Sequence, residues 1–92
     1  MDWHKCEDSM QAKALSLGQE FPSYRFTVGK VGSRLPYYGT PMWGSVFVTN
    51  PDGIQIGRLI FKEGAFDHSK IYGCRMGLKE NPIWSLLETA AS

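Results

Sequence analysis

Residues 42–62, MWGSVFVTNPDGIQIGRLIFK, constrain the fold more than any other part of this chain. The first segment, 42–49, is rich in aromatic and β-branched residues, which favour strands. The sequence NPDG follows as a turn, in which the proline presets φ and Gly53 closes the reversal. The second segment, 54–62, contains Gly57, which indicates a β-bulge. The sequence therefore predicts two antiparallel strands in the middle of the chain.

The residues before this hairpin predict a helix, a further strand and a loop. Residues 3–18 have apolar side chains on one helical face, and Gly18 can end that helix. These side chains are Trp3, Met10, Ala14 and Leu17. Residues 23–28, SYRFTV, alternate between polar and apolar, as a half-buried strand requires. Residues 29–41 are rich in glycine and proline and predict a loop.

Two more helices are predicted after the hairpin. The first covers residues 67–79, with Asp67 or Ser69 as its N-cap. The sequence ENP interrupts it, because a residue before proline avoids the helical region. A short last helix over about residues 82–91 follows, with Asn81 as its N-cap. Its apolar side could fold back on the chain's own core or be presented to a partner.

The chain has 92 residues, which is the length of one domain. We expect an α+β fold of order α-β-β-β-α over residues 1–92. Its three-stranded antiparallel sheet would carry two helices on one face, with the short C-terminal helix appended.

Charge and composition exclude several classes of protein. The chain has ten Lys and Arg residues and nine Asp and Glu residues, so its net charge is close to zero. Binding to phosphates would therefore depend on a local cluster of cations. The apolar runs are too short for a membrane span, and the first residues, MDWHKCED, lack the basic start and apolar run expected of a signal peptide. Two cysteines are too few for a disulfide framework, which favours a reducing compartment, cytoplasmic or nuclear.

The sequence predicts no metal site, no cofactor and no enzymatic activity. The histidines and cysteines do not follow the usual spacing of zinc ligands. They are His4, Cys6, His68 and Cys74. No cysteine–histidine pair has an orienting third group, and no glycine-rich loop precedes a helix to hold a phosphate.

The order of elements and several short motifs resemble the double-stranded-RNA-binding domain over about residues 8–79. In FPSYRF, Pro22 and Tyr24 match the family's entry into its first strand. A glycine-containing hairpin loop then precedes an aromatic residue and a V-x-V strand, here Trp43, Val46 and Val48. Ser69 and Lys70 match the start of the family's second helix.

This resemblance implies weak, shape-based binding of double-stranded RNA in an RNA-processing or RNA-regulatory protein. The implied contacts lie on the first helix, in the first hairpin loop and at the second helix. They are Gln11, Lys13, Lys30, Arg34, Ser69, Lys70 and Arg75. The chain departs from the family at Ile71 and near Cys74, where lysines usually complete the phosphate clamp, so binding should be weak.

Two alternatives remain open at this stage. The chain could be a protein-interaction or dimerisation module, with Trp84 and Leu87 of the C-terminal helix contacting a protein partner or a second copy. Aromatic residues could instead form a stacking platform for single-stranded bases. The candidates for that platform are Tyr37, Tyr38 and Trp43.

Overall fold

The computed structural model describes residues 3–29, 31–32, 42–72 and 83–92. Its elements are α1 (Trp3–Glu20), β1 (Arg25–Val28), β2 (Trp43–Thr49), β3 (Gln55–Lys62), β4 (Ala65–Ile71) and α2 (Ile83–Ala91). In these ranges the fold is α+β, as predicted, but the antiparallel sheet has four strands where the sequence predicted three.

The sheet is a meander in which each strand pairs with its neighbour in sequence, in the order β1-β2-β3-β4. The predicted central hairpin is confirmed. Asn50 stabilises its turn, because its Oδ1 accepts hydrogen bonds from the N–H groups of Asp52 and Ile54 at 3.0 and 2.9 Å. Gly57 pairs with Val48 and Gln55 pairs with Thr49, so one extra residue of β3 forms the predicted bulge.

The helix predicted over residues 67–79 is wrong for the residues that the structure describes. Residues Ala65–Ile71 form β4, which pairs antiparallel with β3. The two-residue turn before β4 explains the difference, because Glu63 and Gly64 both have positive φ, 53° and 84°. Such turns match the twist of a hairpin and return the chain directly along the preceding strand. Residues 73–80 lie outside the described ranges.

Both helices pack on one face of the sheet, which we call the inner face, and glycines allow the close approach. A Cβ at Gly44 would lie 2.6 Å from Cε of Met10 in α1. A Cβ at Gly57 would lie 2.9 Å from Cζ2 of Trp84 in α2. The helix predicted at the end of the chain is therefore confirmed as α2, and it is the helix that shares the inner face with α1.

The core lies between this face and the two helices. From α1 it contains Met10, Ala14 and Leu17, as the predicted helical face requires, although α1 continues past Gly18 to Glu20. Cys6 of α1 is buried there too, and the other buried core residues are Val31, Val46, Val48, Ile56, Leu59, Phe61, Trp84, Leu87 and Ala91. The side chain of Trp3 and the predicted N-cap Asn81 lie outside the described residues.

Candidate nucleic-acid interface

The predicted RNA contacts on α1 lie in the helical layer. Gln11 is exposed there. Lys13 is half-buried, and its Nζ donates a hydrogen bond of 3.4 Å to the backbone carbonyl of Ala90 in α2. Lys13 therefore contacts the second helix of the same chain, which leaves Gln11 as the freer of the two side chains.

Ser69 and Lys70 lie on a strand, so they cannot form the helix N-terminus on which the predicted phosphate clamp depends. Successive side chains of a strand point to opposite faces. Ser69 points to the inner face, where its hydroxyl donates a hydrogen bond to Oε1 of Glu88 in α2. Lys70 is the next residue on the strand and points to the opposite face, where it pairs with Arg58 and is exposed. The sheet thus separates Lys70 from Gln11.

The remaining predicted residues divide into two groups. Lys30, Arg34 and Arg75 lie outside the described residues, as do Tyr37 and Tyr38 of the predicted stacking platform. The predicted partner contacts Trp84 and Leu87 are described, but they are 4% and 0% exposed. Both belong to the chain's own core, so they do not offer a free apolar surface, and the interpretation of α2 as an exposed contact is wrong for these two side chains.

The face of the sheet opposite the helices brings together residues that are distant in sequence. We call it the outer face. The strand register places on it Arg25, Thr27, Trp43, Ser45, Phe47, Thr49, Arg58, Ile60, Lys62, His68 and Lys70. Among the described elements, both helices pack on the inner face instead.

Positive charge is concentrated on the outer face. Four of the chain's ten Lys and Arg residues are there, one on β1, two on β3 and one on β4. The four strands contain a single acidic residue, Asp67. Its Oδ2 lies 2.6 Å from Nδ1 of the neighbouring His68. The chain is nearly neutral, but its charges are segregated, and a patch of one sign attracts ligands of the opposite sign.

Aromatic and aliphatic side chains lie between these cations. Nζ of Lys62 lies 5.7 Å from the ring centroid of Trp43, a cation–π distance. The ring of Phe47 lies against Gly29, where a Cβ would come within 2.6 Å of it. Ile60 is buried although it is outside the core cluster, which gives the outer face an apolar centre.

Arg58 occupies the middle of the outer face. It pairs with Phe47 on one side and Lys70 on the other. Its Nε is buried and has no hydrogen-bond partner among the described residues. An unpaired buried donor is costly, so a ligand that accepts a hydrogen bond near Arg58 would gain a favourable contact.

Two other features of the described residues concern metal ions and membranes. Across the described ranges, no group of three or more His, Cys, Asp or Glu side chains is arranged to hold a metal ion. Neither of the described helices is both long enough and apolar enough to span a membrane.

In comparisons with known proteins, no protein-family model, no curated protein and no solved structure matches this chain. The resemblance to the double-stranded-RNA-binding domain therefore rests on the sequence motifs alone.

Sequence reasoning missed most of the outer face. Arg58, Lys62 and Phe47 lie in the segments 42–49 and 54–62, whose pattern predicts strands but not which side chains share a face. The signal was present in the alternation of β3, where Arg58, Ile60 and Lys62 share one face. Which residues of β2 and β4 join them could be known only from the register.

Proposed function

We propose that this chain binds single-stranded nucleic acid on the outer face of its sheet. The observation that carries the proposal is the interleaving of four cations with Trp43 and Phe47 on one face. Cations contact the phosphate backbone, and aromatic rings stack on bases without regard to sequence. Four-stranded sheets with aromatic residues on one face are one of the usual surfaces for unpaired RNA bases. Trp43 and Phe47 are half-buried, so each is partly accessible on this face.

The arrangement across the strands supports single strands in particular. Neighbouring strands are ~4.8 Å apart, so four strands span roughly 15 Å, about the reach of two or three stacked nucleotides. Exposed Arg25 and Lys70 lie on the two edge strands, at the sides of this span. Phosphates on either side of the stacked bases would therefore meet a cation.

Duplex RNA is a second candidate ligand, because the sequence resembles the double-stranded-RNA-binding domain. The same assay tests it. Its support is the exposed Gln11 on α1 and the motifs quoted above. Lys70 and Gln11 lie on opposite sides of the sheet, which makes one duplex contact through both residues unfavourable. We therefore favour the single-stranded ligand.

The test is fluorescence anisotropy with three labelled probes: a single-stranded RNA of ~10 nucleotides, the same sequence as DNA, and an RNA duplex of ~20 base pairs. The RNA and DNA probes distinguish the two possible single strands. Lys70→Ala is compared with Lys5→Ala, which removes another exposed lysine, on α1. We expect Lys70→Ala to weaken single-strand binding and to reduce the salt slope by ~0.7, with Lys5→Ala unchanged.

The aromatic contribution is tested with Phe47→Leu, which keeps an apolar side chain but removes the ring. Loss of one stacked base should cost ~1–3 kcal/mol of binding free energy. Circular dichroism confirms that the variant is folded. Two results would argue against single-strand binding on the outer face. One is that Lys70→Ala and Lys5→Ala bind the single strands with equal affinity. The other is that the protein binds the duplex more tightly than either single strand.

A further inference from the structure

The two edges of the sheet differ in how well they are protected against pairing. β4 forms one edge, and it carries a bulge opposite Ile60 and Phe61 together with the charged or ionisable residues Asp67, His68 and Lys70. Bulges and charges are the usual devices that prevent edge-to-edge association. β1 forms the other edge. Its four residues make it short, which limits pairing, but its sequence RFTV has no bulge and a single charge, that of Arg25.

The hydrogen-bonding groups on the free side of β1 belong to Phe26 and Val28. The N–H of Gly29 donates to the carbonyl of Ser45 in β2 at 2.7 Å, so Gly29 bonds toward β2. Bonding direction alternates along an antiparallel strand. The N–H and C=O groups of Phe26 and Val28 therefore point away from β2, toward the edge, and no described residue bonds to them there.

A groove of mixed polarity runs beside this edge, between α1 and β1. Its volume is about 530 Å³; its apolar lining includes Leu15, Phe26 and Val28, and its polar lining includes Gln11, Gln19 and Arg25. Leu15 is 67% exposed, the highest value among the large exposed apolar side chains of the described residues. A Cβ at Gly18 would meet no atom within 4 Å, so the groove is open on the helix side.

We propose that β1 pairs antiparallel with β1 of a second copy of this chain, about a dyad at Thr27. In this register Phe26 faces Val28 of the second copy, and Val28 faces Phe26. Both residues have outward-pointing backbone groups, so four backbone hydrogen bonds form. Aromatic and β-branched side chains also make favourable cross-strand pairs.

Charge and shape favour a second copy as the occupant. Arg25 would face Gly29 of the other chain, so the only charge on the strand meets no like charge. A continuous sheet places both α1 helices on the same side, where each groove and its Leu15 are covered by the second copy. The strand has four residues, so the dimer should be weak, on the order of micromolar or weaker.

This proposal does not depend on nucleic-acid binding. The test uses sedimentation equilibrium of the unlabelled chain between about 10 and 500 µM, a range suited to weak interfaces. We expect the wild type to self-associate as a dimer. Thr27→Lys and Thr27→Glu should each weaken the dimer by ~10-fold or more, because each variant places like charges opposite one another at the dyad.

Mixing Thr27→Lys with Thr27→Glu is the decisive experiment. If residue 27 faces its own copy, the mixture forms a heterodimer at least as tight as the wild-type dimer, which shows that neither variant is simply misfolded. Thr89→Lys on α2, also at an exposed threonine, is the matched control and should dimerise normally. Leu15→Lys should weaken the dimer in the same way as Thr27→Lys.

Three results would overturn the proposal. The first is a wild type that stays monomeric over the whole concentration range. The second is a dimer that Thr27→Lys does not weaken. The third is a mixture of Thr27→Lys and Thr27→Glu that remains monomeric while both variants keep the wild-type circular dichroism spectrum.

Discussion

Replacing Gly57 by alanine should destabilise this fold more than its small size suggests. The added Cβ would lie 2.9 Å from Cζ2 of Trp84, and closer still to Cη2 of that ring and to the backbone carbonyl oxygen of Lys70. The ring belongs to α2, and the carbonyl belongs to β4. The substitution therefore pushes the core helix and the neighbouring strand away from β3 at once.

The magnitude follows from the kind of atom in contact. Overpacking a well-packed core costs ~1–3 kcal/mol, and the lower values require a side chain that can move aside. The Lys70 carbonyl is part of the β3–β4 pairing and cannot move alone, so we expect a loss of ~3 kcal/mol. For a domain of this size each kcal/mol lowers Tm by about 4–8 °C, which predicts a fall of ~12 °C or more.

The assay is thermal and urea unfolding, followed by circular dichroism. Gly18→Ala is the control, because a Cβ there meets no atom within 4 Å and alanine favours the helix by ~0.5–1 kcal/mol. We expect the two glycine variants to move Tm in opposite directions. In a double-mutant cycle, Trp84→Leu should reduce the cost of Gly57→Ala by ~0.5–3 kcal/mol. A Gly57→Ala protein with the wild-type Tm would refute the packing of α2 on β3.

Three further predictions concern stability. Trp84→Ala should lower the free energy of unfolding by ~3–5 kcal/mol in urea titrations, because it leaves a large cavity under α2; a loss below ~1 kcal/mol would contradict its burial. Asn50→Ala should lower the free energy of unfolding by ~1–2 kcal/mol, because two hydrogen bonds are lost, while Asn50→Asp keeps the acceptor and should cost less. Equal Tm values for the two variants would contradict the role of the Asn50 side chain as the acceptor in the turn. Glu63→Asn should raise stability by up to ~1 kcal/mol in the same titrations, because asparagine tolerates positive φ better than glutamate; a decrease would argue against the two-residue turn.

The elements with strong local patterns could be predicted from the sequence. The central hairpin followed from its β-branched residues and the NPDG turn, and α1 followed from the spacing of Met10, Ala14 and Leu17. α2 was predicted correctly as a helix. Its place in the core was one of two alternatives, because amphipathicity alone does not say whether an apolar face packs within the chain or on a partner.

β4 could not be predicted in the same way, because its local signals conflict. Asp67 and Ser69 are good helix caps, whereas Phe66 and Ile71 also suit a strand. The Glu-Gly turn decided between them, and glutamate is an unusual residue at positive φ. The error moved Lys70 from a predicted helix to the outer face of the sheet, and the candidate site changed with it.

The outer face depends on register as well as on the identity of the elements. Trp43 and Lys62 are 19 positions apart in the sequence, and a shift of one residue would put them on opposite faces. The bulges in both pairings of β3, with β2 and with β4, make such shifts hard to foresee. A cation–aromatic surface of this kind is thus visible only after the strands have been aligned.

The order of elements has a consequence for how this chain folds during its synthesis. Every strand pairs with its sequence neighbour, so the meander can form hairpin by hairpin as it leaves the ribosome. The core cannot close at that stage, because residues 84–91 contribute Trp84, Leu87 and Ala91 to the cluster that also contains Cys6 and Met10. Until then the part of the inner face that α2 covers is exposed, and such nascent surfaces are prone to aggregation. The interval between the emergence of Ile71, which ends β4, and that of Ala91, which ends α2, therefore sets how long the nascent chain must be protected.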